Sequence, residues 1–238
     1  MTNLAVSNLV VSNLVSMSES GHLFVLHALR LRGPASDTDL ASRFSLELDQ
    51  VRATLETLRK GELARLYEGR LAGWMLTAAG RVEGERLLAE QLDRTALREA
   101  VTGFYQQFLV MNPQLLSICT DWQVRLVGQE EVLNDHLDPA RDAEVLARLA
   151  QLHDRAVTLL DQLAAGLERF EGYSSRLRYA HERIEIGQTE WLTGPRIDSY
   201  HTVWFELHED FLATLGRRRS NERVDYDSAE DGSAESEE

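Results

Sequence analysis

The stretches HLFVLHALRLRG (22–33), SDTDLASRF (36–44), LDQVRATLETLRKG (48–61) and LAGWMLT (71–77) decide the fold of this chain. The first is an apolar helix ended by a glycine. The second is a short helix capped by Ser36, with Leu40 and Ala41 facing inward. In the third, Leu48, Val51, Leu55 and Leu58 recur at three- and four-residue steps, and Gly61 closes the helix, where a residue free of Cβ strain is comfortable. Leu63, Leu66, Leu71 and Trp74–Leu76 fit two short strands, with Glu68, Gly69 and Arg70 at the tip between them. AAGRVEGERLLAEQ (78–91) then restarts a helix.

This order of elements predicts a winged helix-turn-helix, an arrangement that places one helix in a DNA groove. The strings DLASRF, VRATLETLRKGEL and GWMLTAAGR resemble the winged-helix domains of bacterial regulators of the MarR family. The last string has the ending in which a strand runs into Leu-Thr and then a glycine-containing helix start. The resemblance covers about a third of the chain and implies a DNA-binding domain. That family flanks its winged helix with dimerisation helices at both ends, whereas here the extra mass lies almost wholly on the C-terminal side. The expected contacts to double-stranded DNA are Gln50, Arg52, Ala53, Arg59 and Lys60 on the third helix and Arg70 on the wing. Asp49 and Glu56 share the outward face of that helix and oppose phosphate.

Charge is compatible with this reading only because of its distribution. The 238 residues carry a net charge of −14. The tail Asn221–Glu238 holds eight acids and one arginine and supplies −7 of it. The segment His22–Glu90 has ten acids and ten basic residues and is neutral. Its arginines and Lys60 gather on the third helix and wing, so a local patch can act where the global charge does not. The tail reads as a disordered acidic segment. A single cysteine, Cys119, excludes an internal disulfide and suits a reducing cytosol. No apolar run approaches the length that spans a bilayer, so no membrane partner is expected. The uncharged residues Met1–Ser16, in which LAVSNLV and VSNLVSM nearly repeat, lack the basic start of a secretory signal. Met17 opens MSESGHLF and reads as a natural start. The other reading makes 1–16 an extra helix packed on a partner subunit.

From Asp93 onward the pattern is helical, with no strand expected. Arg94–Met111 places Leu97, Val101, Phe104 and Phe108 inward, and Asn112-Pro113 stops it and starts Gln114–Val127. A polar link, Asp135–Pro139, precedes a long helix from Ala140 to about Phe170, with Leu149, Leu152, Ala156, Leu159, Leu163 and Leu167 in register. Tyr173–Ile186 and Asp198–Leu215 follow, the latter closed by Gly216. The expected architecture is therefore mainly α: an extension (1–20), a winged helix-turn-helix with a small β wing (21–92), an all-α domain (93–218) and an acidic tail (219–238).

Two places in the helical half suggest chemistry. In PQLLSICTDWQVR, Ser117, Asp121 and Arg125 fall at four-residue steps on one helix face, and Ile118, Cys119, Trp122 and Leu126 on the other. Asp121 and Arg125 read as a helix ion pair or as one wall of a polar pocket that His153 meets. In DSYHTVWFELHEDFLATL, Tyr200, Val203, Trp204, Leu207 and Phe211 make one apolar stripe, and His201, Phe205, His208 and Leu212 a second. His201 and His208 stand two turns apart as core histidines, as anion ligands, or as metal ligands with Glu209. The ligand pocket is expected among Asp121, Trp122, Arg125, His153, His201 and Trp204, without a metal or other cofactor.

Two further resemblances bear on this half. Asp121, His136, His153, His201 and His208 supply the residue types of the metal-binding helical sensor domains of GntR-type regulators, although no Asp-x-x-x-His pair introduces the site. The strings LLSICTDWQVR, NDHLD and SYHTVWFELHEDFLATLG resemble a helical region of actinobacterial pyruvate phosphate dikinase-like, PEP-utilising proteins, without any phosphate-cradling glycine-rich loop. No nucleophile stands beside a base, and Cys119 lies on an apolar face where an inert thiol is expected, so no enzyme is predicted. The sequence predicts a cytoplasmic, homodimeric transcriptional regulator whose helical half senses a small molecule. The alternative is an interaction module that never touches DNA and serves a PEP-utilising or other metabolic enzyme.

Overall fold

The computed structural model describes residues 21–43, 46–69 and 72–217. The fold is mainly α, with two small antiparallel sheets. The expected N-terminal extension, the acidic tail, Arg70 and Leu71 lie outside the described residues. Two compact units are present. The described residues of one run to Thr95 and resume at Leu212; those of the other run from Ala96 to Phe211. The division thus falls three residues beyond the expected boundary at 92/93, and the end of the last helix counts with the first unit.

In the first unit, α1 (21–32) buries Leu23, Val25, Leu26, Ala28 and Leu29. Gly33, at φ 69, ends it, and its N–H donates to the Leu29 carbonyl at 3.2 Å. Ala35 then pairs with Trp74 as an isolated antiparallel bridge. Helix α2 (Asp37–Arg43) follows. The Ser36 hydroxyl accepts from the Asp39 N–H at 3.1 Å, and the Asp39 carboxylate accepts from the Ser36 N–H at 3.3 Å, a reciprocal cap. Helix α3 (Leu48–Lys60) buries Val51, Leu55 and Leu58, as its spacing predicts. Strands β1 (Ala64–Tyr67) and β2 (Gly73–Leu76) pair from Ala64↔Leu76 to Tyr67↔Gly73. Only Ala64 of β1 is buried, and Leu66 is exposed. Helix α4 (Ala78–Thr95) closes the order.

The end of α3 corrects the sequence reading. Gly61 sits at φ −83, an ordinary helical value, and Glu62 takes the left-handed position at φ 57. The Leu63 N–H reaches back to the Leu58 carbonyl at 2.8 Å, and the Glu62 N–H to that of Arg59 at 3.1 Å. Those two bonds make a Schellman ending in which a glutamate holds the place glycine usually fills.

The glycines that matter lie further on. A Cβ on Gly73 would stand 2.9 Å from the Ala35 nitrogen, and one on Gly80 only 1.9 Å from the Leu63 carbonyl oxygen. Thr77 completes this contact. Its N–H donates to the Leu63 carbonyl at 3.0 Å, its hydroxyl donates to the Glu62 carbonyl at 2.7 Å, and that hydroxyl caps α4 by accepting from the Gly80 N–H at 3.0 Å. The Leu-Thr-Ala-Ala-Gly run is therefore a backbone lock between the end of α3 and the start of α4.

In the second unit, α5 runs unbroken from Arg98 to Gln123 with Pro113 inside it, so the expected stop at Asn112-Pro113 is overturned. An interior proline costs a helix about 3 kcal/mol. The stripe Val101, Tyr105, Phe108, Met111, Leu115, Ile118 and Trp122 is buried on both sides of the proline, and that burial outweighs the lost bond. Tyr105 takes the inward place expected for Phe104. Asn112 is no cap; its side-chain oxygen accepts from the Trp204 indole N–H at 3.0 Å.

Beyond α5 the expectation of a continuing helix without strands fails. Val124–Val127 (β3) and Glu130–Leu133 (β4) form a hairpin around Gly128 and Gln129, with Gly128 at φ 68. Helix α6 (Pro139–Ala164) is capped by Asp138, whose carboxylate accepts from the Ala140 and Arg141 N–H groups. It stops six residues before Phe170, and a 3-10 turn, Glu168–Phe170, leads into α7 (Glu171–Glu185). A short helix, α8 (Glu190–Thr193), precedes α9 (Tyr200–Leu215), which Gly216 ends at φ 66. Leu149, Leu152, Ala156, Leu159, Leu163 and Leu167 are buried, as are Tyr200, Val203, Trp204, Leu207 and Phe211.

Candidate functional site

The exposed face of α3 is held rigidly by its buried one. Val51, Leu55 and Leu58 fix the helix, so Gln50, Arg52, Ala53, Arg59 and Lys60 all stand exposed. Arg70 lies outside the described residues. The arginines are not idle. Arg52 Nε donates to Asp37 of α2 at 2.6 Å, with Asp49 at 3.7 Å, and Arg59 donates twice to Glu56, at 3.0 and 2.9 Å. The hydrogen bond from Arg52 holds the Asp37 carboxyl below its ordinary range, and that from Arg59 does the same for Glu56. The face therefore carries its positive charge largely in exposed ion pairs, each of modest strength.

The six residues expected to line a ligand pocket meet different partners. Asp121 accepts from Arg148 Nη1 at 2.6 Å, and Arg148 Nη2 donates to Ser117 at 3.0 Å. The expected Asp121–Arg125 helix pair does not form, because the chain leaves the helix at Gln123 and carries Arg125 into β3. Arg125 instead pairs with Asp135 at 2.6 Å. Leu126, expected on the buried side of that helix, is exposed on the same strand. Trp122 packs on the His136 ring at 4.4 Å. The imidazole Nδ1 of His136 lies 3.0 Å from Asp142, and the Asn134 amide donates to both Asp142 and the Trp122 carbonyl. The NDHLD segment is thus a folded polar turn with His136 at φ 55.

His153 is buried. It stacks on His181 at 4.2 Å, with the rings 4° from parallel, and its Nδ1 lies 3.4 Å from the Tyr200 hydroxyl. Burial, and then the neighbouring His181 and Arg178, push its pKa down to about 4. His201 is half-buried and also lowered by burial. His208 packs against Phe108 at 5.1 Å and Tyr105 at 6.2 Å. Trp204 stacks on Phe108 at 4.8 Å. Burial pushes the Cys119 thiol up to about 12, which leaves it unreactive near neutrality. Among the described residues no three His, Cys, Asp or Glu are placed to hold a metal ion.

Sequence reasoning missed the most buried ion pair among the described residues. Arg169 pairs with Asp210, and the Tyr173 hydroxyl donates to Asp210 at 2.9 Å and lies 3.4 Å from Glu206. Arg176 donates to Glu206 at 3.1 Å and to Asp198 at 2.9 Å. The signal was available as spacing. Arg169, Tyr173 and Arg176 share one helical stripe, and Glu206 and Asp210 are one turn apart beside the first apolar stripe of α9, on the side away from the second.

No protein-family model, curated protein or solved structure matches this chain.

Proposed function

We propose that this chain is a ligand-responsive, DNA-binding transcriptional regulator that acts as a homodimer. The first unit serves as a winged helix-turn-helix of the kind its sequence resembles in the MarR family. The second serves as the effector-sensing, dimerising part. The observation that carries this reading is the exposed face of α3. It sets Gln50, Arg52, Ala53, Arg59 and Lys60 on a helix packed against α2 and followed by a two-stranded hairpin, the order in which a recognition helix is presented to a major groove. DNA phosphates replace Asp37 and Glu56 as partners of the two arginines on binding. The test is a gel-shift titration against the promoter region of the protein's own gene. Specific binding that Arg52→Ala weakens by about 1–3 kcal/mol supports the reading, and binding no tighter than to random duplex rejects it.

A second reading has one observation in its favour. Asp49 is 99 % exposed at the start of α3, and Arg52 and Arg59 are already paired with carboxylates. A face neutralised in this way suits a protein partner, in which case the chain is an accessory module of a PEP-utilising or other metabolic enzyme. The same titration separates the two readings.

A further inference from the structure

Helices α5 and α6 bear a ladder of polar side chains: Gln114 and Ser117 on one, Arg148, Gln151 and Arg155 on the other. Between them lies an open cleft of about 380 Å³ that these five line together with Pro113 and Ile118. No carboxylate is among the lining residues.

The two arginines differ in what they hold. Arg148 is engaged by the Asp121 carboxylate and the Ser117 hydroxyl, at 2.6 and 3.0 Å. Among the described residues Arg155 hydrogen-bonds carbonyl oxygens alone, that of Gln114 at 2.6 Å and the Gln151 backbone at 3.3 Å. A guanidinium is permanently charged, and a carboxylate fits its planar fork with two parallel bonds, so neutral carbonyls are the weaker partners. The sevenfold spacing of Arg148 and Arg155 separates their Cα atoms by about 10 Å along α6. Donors therefore stand at both ends of the cleft, Arg155 at one and Arg148 at the other, where the Ser117 hydroxyl donates to Asp121 at 3.4 Å. Pro113 offers apolar surface suited to methylene groups.

We propose that this cleft binds a small organic dicarboxylate. One carboxylate displaces Gln114 from Arg155, and the other competes with Asp121 for Arg148 and the Ser117 hydroxyl. The assignment deepens the effector-sensing role given above to the second unit and rests on that role for its biological meaning.

The binding is measured on the full chain without DNA, so the DNA reading and the ligand reading fail separately. Isothermal titration with succinate, glutarate, butyrate and inorganic phosphate, in about 150 mM salt to screen loose surface attraction, decides it. Saturable binding of one dicarboxylate per chain is expected, with butyrate at least about tenfold weaker. Arg155→Gln should lose about tenfold or more in affinity, and Arg155→Lys should fall between, keeping the charge without the fork. Circular dichroism of both variants should match the parent chain, because Arg155 is exposed. No saturable dicarboxylate binding, an unchanged affinity in Arg155→Gln, or phosphate binding as tightly as the dicarboxylates would each overturn the proposal.

Discussion

Arg169 and Asp210 form an ion pair with almost no solvent contact, their side chains 1 % and 0 % exposed. Arg169 also lies over the Phe170 ring at 4.4 Å, and Tyr173 donates to the other carboxylate oxygen at 2.9 Å. Removing one partner of such a pair leaves a desolvated charge behind. Asp210→Ala should destabilise the protein by about 3–5 kcal/mol in urea unfolding. Replacing both residues, as Arg169→Met with Asp210→Leu, should cost less than Asp210→Ala alone. A loss below about 1 kcal/mol in the single variant would show the pair to be dispensable.

The left-handed Glu62 and the crowded Gly80 predict opposite outcomes for small changes one hairpin apart. Glu62→Gly relieves a side chain at φ 57 without touching the backbone bonds of the ending, and should stabilise by about 0.5–1 kcal/mol. Gly80→Ala puts a methyl 1.9 Å from the Leu63 oxygen, and should destabilise by more than about 2 kcal/mol. Thermal melts of the two variants should move in opposite directions. A shared direction would contradict the backbone geometry described for this junction.

His153 gives the stability a pH slope. Its folded pKa of about 4 lies below the ordinary 6.5, so the unfolded chain binds the extra proton first. The contribution is complete above about pH 6.5 and is lost as the pH falls toward 4, and it is on the order of 3 kcal/mol. His201, lowered by burial as well, adds in the same sense. Arg178, Asp154, His181 and the Tyr200 hydroxyl are the groups that face His153. His153→Gln should flatten the stability curve between pH 4 and 6.5, and an undiminished slope would assign the effect elsewhere.

The pairing of Asp37 with Arg52 predicts a gain from removing an acid. Asp37→Asn keeps the size of the side chain and releases Arg52 to phosphate. Affinity for duplex DNA should rise, and the salt dependence of binding should steepen by about one counterion. Fluorescence anisotropy across a salt series reads both quantities; no change in either would mean that Arg52 does not meet the backbone.

Periodicity made the core stripes legible. Val51, Leu55 and Leu58 on α3, and the leucines of α6, were readable because their 3.6-residue repeat runs over several turns and marks one buried face. Local signals failed where packing outvoted them. Pro113 is a strong stop in isolation, yet the stripe from Val101 to Trp122 carries the helix through it. The β3–β4 hairpin was hidden because Leu126 follows Trp122 at a helical step, while its own cue, a two-residue loop beginning with glycine, is short. The site was less legible than the fold. Composition marked Asp121, Arg125, His153 and Trp204 as unusual, but the sequence alone could not tell which distant side chain each would meet: Arg148, Asp135, His181 and Asn112 come from 27, 10, 28 and 92 positions away.

The close approach at Gly73 and Gly80 also has a genetic meaning. Every single-nucleotide missense change in a glycine codon installs a side chain, and at these two positions the first atom of any side chain already meets backbone, the Ala35 nitrogen in one case and the Leu63 carbonyl in the other. The hairpin and the start of α4 therefore hang on two codons with no mild neighbours. In a mutational scan both should appear as columns of uniform loss, beside Gly103 and Gly172, whose surroundings leave open space for an added carbon.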